Sequence, residues 1–215
     1  MSEPIKKTNR KTTEGYIPKK PEILNLAKNA EHKYQKYTEE TNMSIIVKTF
    51  KKPVPAMRFI GKRYGDEDRV NGFFGAKWGD WFENGWFDVL KQLGSPDGWD
   101  NCIGGVGSRS GKFKYWIGRF TPAGTPVPEG FYCIDYDAGY IGACRLKGHE
   151  NDIYGKEVMC IEHLKAEGYE MLGEKEIGKE FTCFERYLDW ENGTEEDFSA
   201  LEKGHMFLDI CFFVK

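Results

Sequence analysis

Two stretches of this chain echo each other. Pro55-Ala56-Met57-Arg58-Phe59-Ile60-Gly61-Lys62-Arg63-Tyr64-Gly65 resembles Asp137-Ala138-Gly139-Tyr140-Ile141-Gly142-Ala143-Cys144-Arg145-Leu146-Lys147-Gly148 with one residue of slack. Leu90-Lys91-Gln92-Leu93-Gly94 and Leu164-Lys165-Ala166-Glu167-Gly168 repeat the relation at what reads as the end of a helix in each half. A chain that runs through strand, helix and hairpin twice is restricted to folds in which two copies of one unit pack about a pseudo-twofold axis and share a core. The layout predicts an α+β fold of two strand–helix–strand–strand modules, about 43–122 and 130–215, forming an antiparallel sheet with helices packed on it. A groove on the axis is the natural ligand site, because residues of both halves converge there.

The pattern along the chain fills in the elements. Residues 1–42 read as a basic arm followed by an amphipathic helix over 21–39, with Ile23, Leu26, Ala30, Tyr34 and Tyr37 at helical spacing. Met43–Lys51 and Met57–Tyr64 are strand-like, and Pro53 and Pro55 between them suit an edge, a bulge or a strand switch. A helix is predicted over roughly 70–93, ended by Gly94. Its glycines, Gly75, Gly79 and Gly85, each cost about 1 kcal/mol of helix propensity, which points to close packing or a break. A hairpin follows, turning at Arg109-Ser110-Gly111. The run Gly104-Gly105-Val106-Gly107 is not a phosphate loop, since a strand and not a helix comes next. These glycines instead let something approach the strand backbone closely. Strands at 131–136 and 140–147, a helix capped by Asn151 or Asp152 and ended by Gly168, and a closing hairpin complete the second half.

The net charge of −3 gives no global pull towards nucleic acid or an anionic membrane surface. No apolar run reaches membrane-spanning length and the lysine-rich start has no signal-peptide core, so the reading is a cytoplasmic protein. The six scattered cysteines read as small buried hydrophobes, and the four histidines have no metal-ligand spacing. No metal, cofactor or nucleic-acid partner is expected. What stands out is the aromatic share, 15%, the residues that line sites for flat apolar ligands.

The oddest local choice is in Phe181-Thr182-Cys183-Phe184-Glu185-Arg186-Tyr187-Leu188. It alternates like a strand and places a carboxylate, Glu185, in line with Phe181, Cys183 and Tyr187. A surface ion pair with a nearby Arg or Lys would explain it. So would a pocket, where a poorly hydrated carboxylate gains strongly from a ligand cation or from activating water.

Taken in order, Tyr115-Trp116-Ile117-Gly118, Val127-Pro128-Glu129-Gly130, Asp137-Ala138-Gly139-Tyr140, Phe184-Glu185-Arg186-Tyr187 and the closing Leu208–Lys215 resemble a GyrI-like domain over roughly 43–215. This small-molecule-binding fold is also the effector domain of many AraC-type and MerR-type regulators. The chain departs from it in its N-terminal segment, in Phe213 where the family has proline, and in a long loop between the last strands. The resemblance implies that Glu185 lies at the floor of an aromatic pocket, with Tyr187 sharing its chemistry. The expected ligand-binding set is Tyr115, Trp116, Tyr140, Trp78, Trp81, Trp86, Phe181 and Cys183. The implied partner is a hydrophobic aromatic small molecule, cationic or positively polarised. Three readings follow: a hydrolase opening cyclopropanoid genotoxic compounds with a Glu185-directed water, a non-catalytic drug-binding or ligand-sensing protein, and a protein inhibitor of the gyrase-inhibitor kind.

Overall fold

The structure is a computed structural model and describes residues 45–187 and 204–215. The basic arm, the helix at 21–39 and the loop after Tyr187 lie outside the described residues. Eight strands form one antiparallel sheet: β1 (Ile46–Val54), β2 (Met57–Tyr64), β3 (Cys102–Arg109), β4 (Lys112–Pro122), β5 (Tyr132–Tyr136), β6 (Gly139–Gly148), β7 (Phe181–Tyr187) and β8 (Met206–Val214). Their order across the sheet is β1-β6-β8-β7-β3-β4-β2-β5. Exchanging β1 with β5, β2 with β6, β3 with β7 and β4 with β8 reverses that order. The axis relating the halves therefore passes between β3 and β7.

The halves exchange their first strands. β1 leaves β2 to pair with β6, and β5 pairs with β2. Pro53 and Pro55 sit at this switch. Pro53 lies in an edge strand, where a missing donor is tolerated, and Lys48, Lys51 and Lys52 guard the same edge against further pairing.

Both faces of the sheet are buried, so β8 reads Phe207-Leu208-Asp209-Ile210-Cys211-Phe212-Phe213-Val214 with hardly a polar break. On one face, α1 (Gly75–Glu83) and α2 (Trp86–Lys91) cover Ile60, Tyr115 and Ile117 with Trp81, Phe87 and Leu90. On the same face, α3 (Glu150–Ile153) and α4 (Glu157–Ala166) cover Leu146, Leu208 and Ile210 with Ile153, Cys160 and Leu164. The opposite face gathers Phe59, Trp116, Phe120, Phe181, Phe184 and Phe213 around Trp99. A short α5 (Glu174–Ile177) precedes β7, and its Ile177 packs on that second cluster.

Both predicted helices are broken. The first starts five residues late, after a turn in which Asn71 and Gly72 have positive φ, and splits at Gly85, whose φ of 64° is left-handed. The second splits at Tyr154-Gly155, and its N-cap is His149, not Asn151 or Asp152. That break rotates the register of α4, so Val158 points to solvent while Cys160 and Leu164 face the sheet. The cysteines divide too: Cys144, Cys160 and Cys211 are buried, whereas Cys133 on the β5 edge is exposed.

Candidate functional site

Glu185 sits where the halves meet. It lies opposite Gly104 on β3 and Ile210 on β8, on the helix-covered face. Its side chain is 7% exposed. Tyr115 donates its hydroxyl to Oε2 at 2.7 Å and Tyr187 donates to the same oxygen at 3.0 Å. Above them Trp78, carried on α1, donates Nε1 to the Tyr115 hydroxyl at 3.1 Å. Its ring lies 4.6 Å from that of Tyr187. Tyr115 is fixed from the other side by Phe74, stacked at 4.4 Å with 7° between planes. The ion-pair reading of Glu185 fails: among the described residues its hydrogen-bond partners are two phenols, and Arg186, its neighbour, points to the other face, where it meets Asp209.

Burial dominates the electrostatics. It pushes the Glu185 carboxyl up to about 7, against the two tyrosine hydrogen bonds that pull it down, and the Glu157 carboxylate adds a smaller upward push. The same burial, reinforced by the Glu185 charge, raises the Tyr115 and Tyr187 phenols well above their ordinary value. Both described hydrogen bonds fall on Oε2. Oε1 accepts neither of them.

Tyr154 closes the second side. It stands at the break between α3 and α4, its ring 6.5 Å from that of Tyr187 and its hydroxyl 4.0 Å from Met206 Sδ. Neither Tyr154 nor Glu157 is among the residues expected from sequence. The signal was Gly155 in the middle of a helical pattern, which releases the preceding residue from the helix face.

The structure brings the expected catalytic pair, Glu185 and Tyr187, together with Tyr115, Trp78 and Cys183 of the expected ligand-binding set, all on this face. The rest stand elsewhere. Trp116 follows Tyr115 in a strand, so it points to the opposite face, against Phe59 and Phe181. Phe181 joins it there because β7 carries a bulge: Val106 pairs with Cys183 but Gly107 pairs with Phe181, and the extra residue, Thr182, reverses the alternation. Trp81 is fully buried, with Nε1 donated to the Tyr64 hydroxyl at 2.9 Å. Trp86 packs edge-on to Trp81 and holds the Lys62 ammonium 4.2 Å from its ring. Tyr140 is exposed at the start of β6, under Lys51. A surface groove lined by Lys51, Glu167, Tyr169, Glu170 and Lys215 contains none of the clustered residues.

The glycine run of β3 makes room for this packing. A Cβ on Gly105 would stand 2.8 Å from the Phe181 ring on one face, and one on Gly104 would run into the Tyr115–Glu185 contact on the other.

No protein-family model and no curated protein matches the chain. Solved structures do. SAV2435 bound to tetraphenylphosphonium is similar to it at TM-score 0.53 and 14% identity, over 79% of this chain and 94% of that one. A Staphylococcus aureus MU50 protein assigned to transcription regulation is similar at TM-score 0.51 and 14% identity, over 78% of this chain and 98% of that one. The chain shares the fold of these structures, which is consistent with the resemblance to GyrI-like domains. At these identities the likeness establishes the architecture and carries no residue roles. Among the described residues, no helix is long and apolar enough to cross a membrane.

Proposed function

We propose that this GyrI-like domain binds a hydrophobic aromatic cation over Glu185, with the carboxylate at the floor of the site and Trp78, Tyr115, Tyr187 and Tyr154 as its walls. The observation that supports this is a buried carboxyl contacted by phenols and roofed by an indole, with no described cationic side chain beside it. A delocalised cation repays the loss of hydration without demanding directional hydrogen bonds. Each aromatic face adds about 0.5–2 kcal/mol of cation–π attraction. That a structure of the same fold holds tetraphenylphosphonium is consistent with this class of ligand. Because the rings close over Glu185 here, entry requires Trp78 or Tyr187 to swing aside.

A second reading is hydrolysis of a cyclopropanoid compound, favoured by a carboxyl that titrates near neutrality next to two phenols. Glu185 takes a proton from water as the water oxygen bonds to a ring carbon. The strained C–C bond breaks, its electron pair passes into the conjugated acceptor, and that acceptor is protonated from solvent. Incubation with tetraphenylphosphonium, followed by tryptophan quenching, and with a cyclopropanoid, followed by mass spectrometry, separates the readings. Saturable quenching with no mass change supports binding alone, and a gain of one water on the cyclopropanoid supports the enzyme. If neither quenching nor a mass gain is observed, Glu185 does not have the role assigned to it.

A further inference from the structure

At the centre of the sheet one residue matters through the side chain it lacks. Gly104 faces Glu185 across the β3–β7 ladder. The strand registers also make it the pseudo-twofold counterpart of Glu185: the relation that lays Ala56 over Ala138 lays Ile117 over Ile210, and so Gly104 over Glu185. The two halves thus place one carboxylate and one bare backbone about the axis. A Cβ at Gly104 would stand 2.4 Å from the Tyr115 hydroxyl and 2.7 Å from Glu185 Oε2, distances at which atoms overlap. Tyr115 cannot easily retreat, because Phe74 stacks on its ring and Trp78 holds its hydroxyl.

We propose that Gly104 is a positioning residue for Glu185: its missing side chain is the space in which the Tyr115 hydroxyl meets Oε2, and this contact turns Oε1 towards the ligand. The inference rests on the reading of Glu185 as the ligand's counter-charge. Gly105 provides the internal contrast. It is equally crowded, but by Phe181 on the opposite face, so a methyl there strains packing without touching the carboxylate.

The test compares Gly104→Ala, Gly105→Ala, Tyr115→Phe and the Gly104→Ala/Tyr115→Phe double variant in the full chain. Two readouts are followed: the Glu185 titration midpoint by carboxylate carbon NMR, and tetraphenylphosphonium affinity at pH 8 by calorimetry. Gly104→Ala should raise the midpoint by about one unit, as Tyr115→Phe does, and weaken the cation at pH 8 by about twofold through the lost ionised fraction alone. The double variant should shift the midpoint no further than the larger single change, and Gly105→Ala should leave it in place. A wild-type midpoint in Gly104→Ala, or shifts that add in the double variant, overturns the proposal. If the wild type ignores the cation while the midpoints behave as stated, the binding reading fails and the positioning role stands. Should Gly104→Ala not fold, the double variant decides: folding restored by removal of the hydroxyl supports the proposal, and a double variant that stays unfolded overturns it.

Discussion

Tyr115 and Glu185, 70 residues apart in sequence, are joined by a 2.7 Å hydrogen bond from the phenol to Oε2. The bond ties the hairpin of the first half to the hairpin of the second across the pseudo-twofold axis. It also sets two opposing effects on one carboxyl: burial disfavours its charge and the phenols favour it, and burial wins, leaving the group near neutrality.

Stability should therefore fall with rising pH through this one group. The Glu185 carboxyl titrates at about 7 in the folded chain against an ordinary value of 4.5. Between these values the folded state holds a proton that the unfolded state has released. The stabilisation is complete below about pH 4.5 and lost as pH climbs through about 7, amounting to roughly 3 kcal/mol. Glu185→Gln removes the dependence, so the variant should be more stable than the wild type at pH 8 and closer to it at pH 5. Urea denaturation of both proteins at the two pH values measures the difference. A variant less stable at pH 8 would contradict the burial argument.

Tyr115→Phe and Tyr187→Phe each delete a hydrogen bond that favours the ionised carboxylate. The Glu185 midpoint should move up in both, by about one unit, because nothing opposes burial on the lost side. Carboxylate NMR reads this without any ligand. A downward move in either variant would mean that the phenol stabilises the protonated form instead.

The tryptophans of the first half should separate into two kinds. Trp78 touches Tyr115 and Tyr187, whereas Trp81 is sealed against Phe87 and Tyr64. Trp78→Ala should weaken tetraphenylphosphonium by about tenfold, since one aromatic wall is lost. Trp81→Ala should cost about 3–5 kcal/mol of stability by leaving a cavity. The corresponding Trp81→Phe variant should keep both its cation affinity and its Glu185 midpoint. Calorimetry and thermal unfolding on the same samples distinguish the two classes.

Much of this was legible from residue types and spacing. The repeated layout foretells two related halves of one antiparallel sheet, though not that they exchange their first strands, and the turn at Ser110-Gly111 is where the glycine predicts it. Cys183, Glu185 and Tyr187 share a face, as period two requires. Phe181 does not, because nothing in Phe181-Thr182-Cys183 marks an extra residue: the bulge is fixed by pairing with β3, a long-range event. Tyr115 and Trp116 are adjacent in β4, so one face can hold only one of them. Choosing between them needs the β3–β4 and β3–β7 registers together. The helix breaks at Gly85 and Gly155 have a local signal, but that Trp78 and Tyr154, one from each half, both come to neighbour Tyr187 follows only from the packed sheet.

The central claim is that a cation binds the ionised Glu185. Calorimetric titration of tetraphenylphosphonium into wild type and Glu185→Gln, at pH 6 and pH 8, tests it most directly. With a carboxyl titrating at about 7, wild-type affinity should rise about tenfold between the two pH values, following the ionised fraction. Glu185→Gln should bind weakly and equally at both. Equal affinity of the two proteins at pH 8, or a wild-type affinity indifferent to pH, would contradict the account.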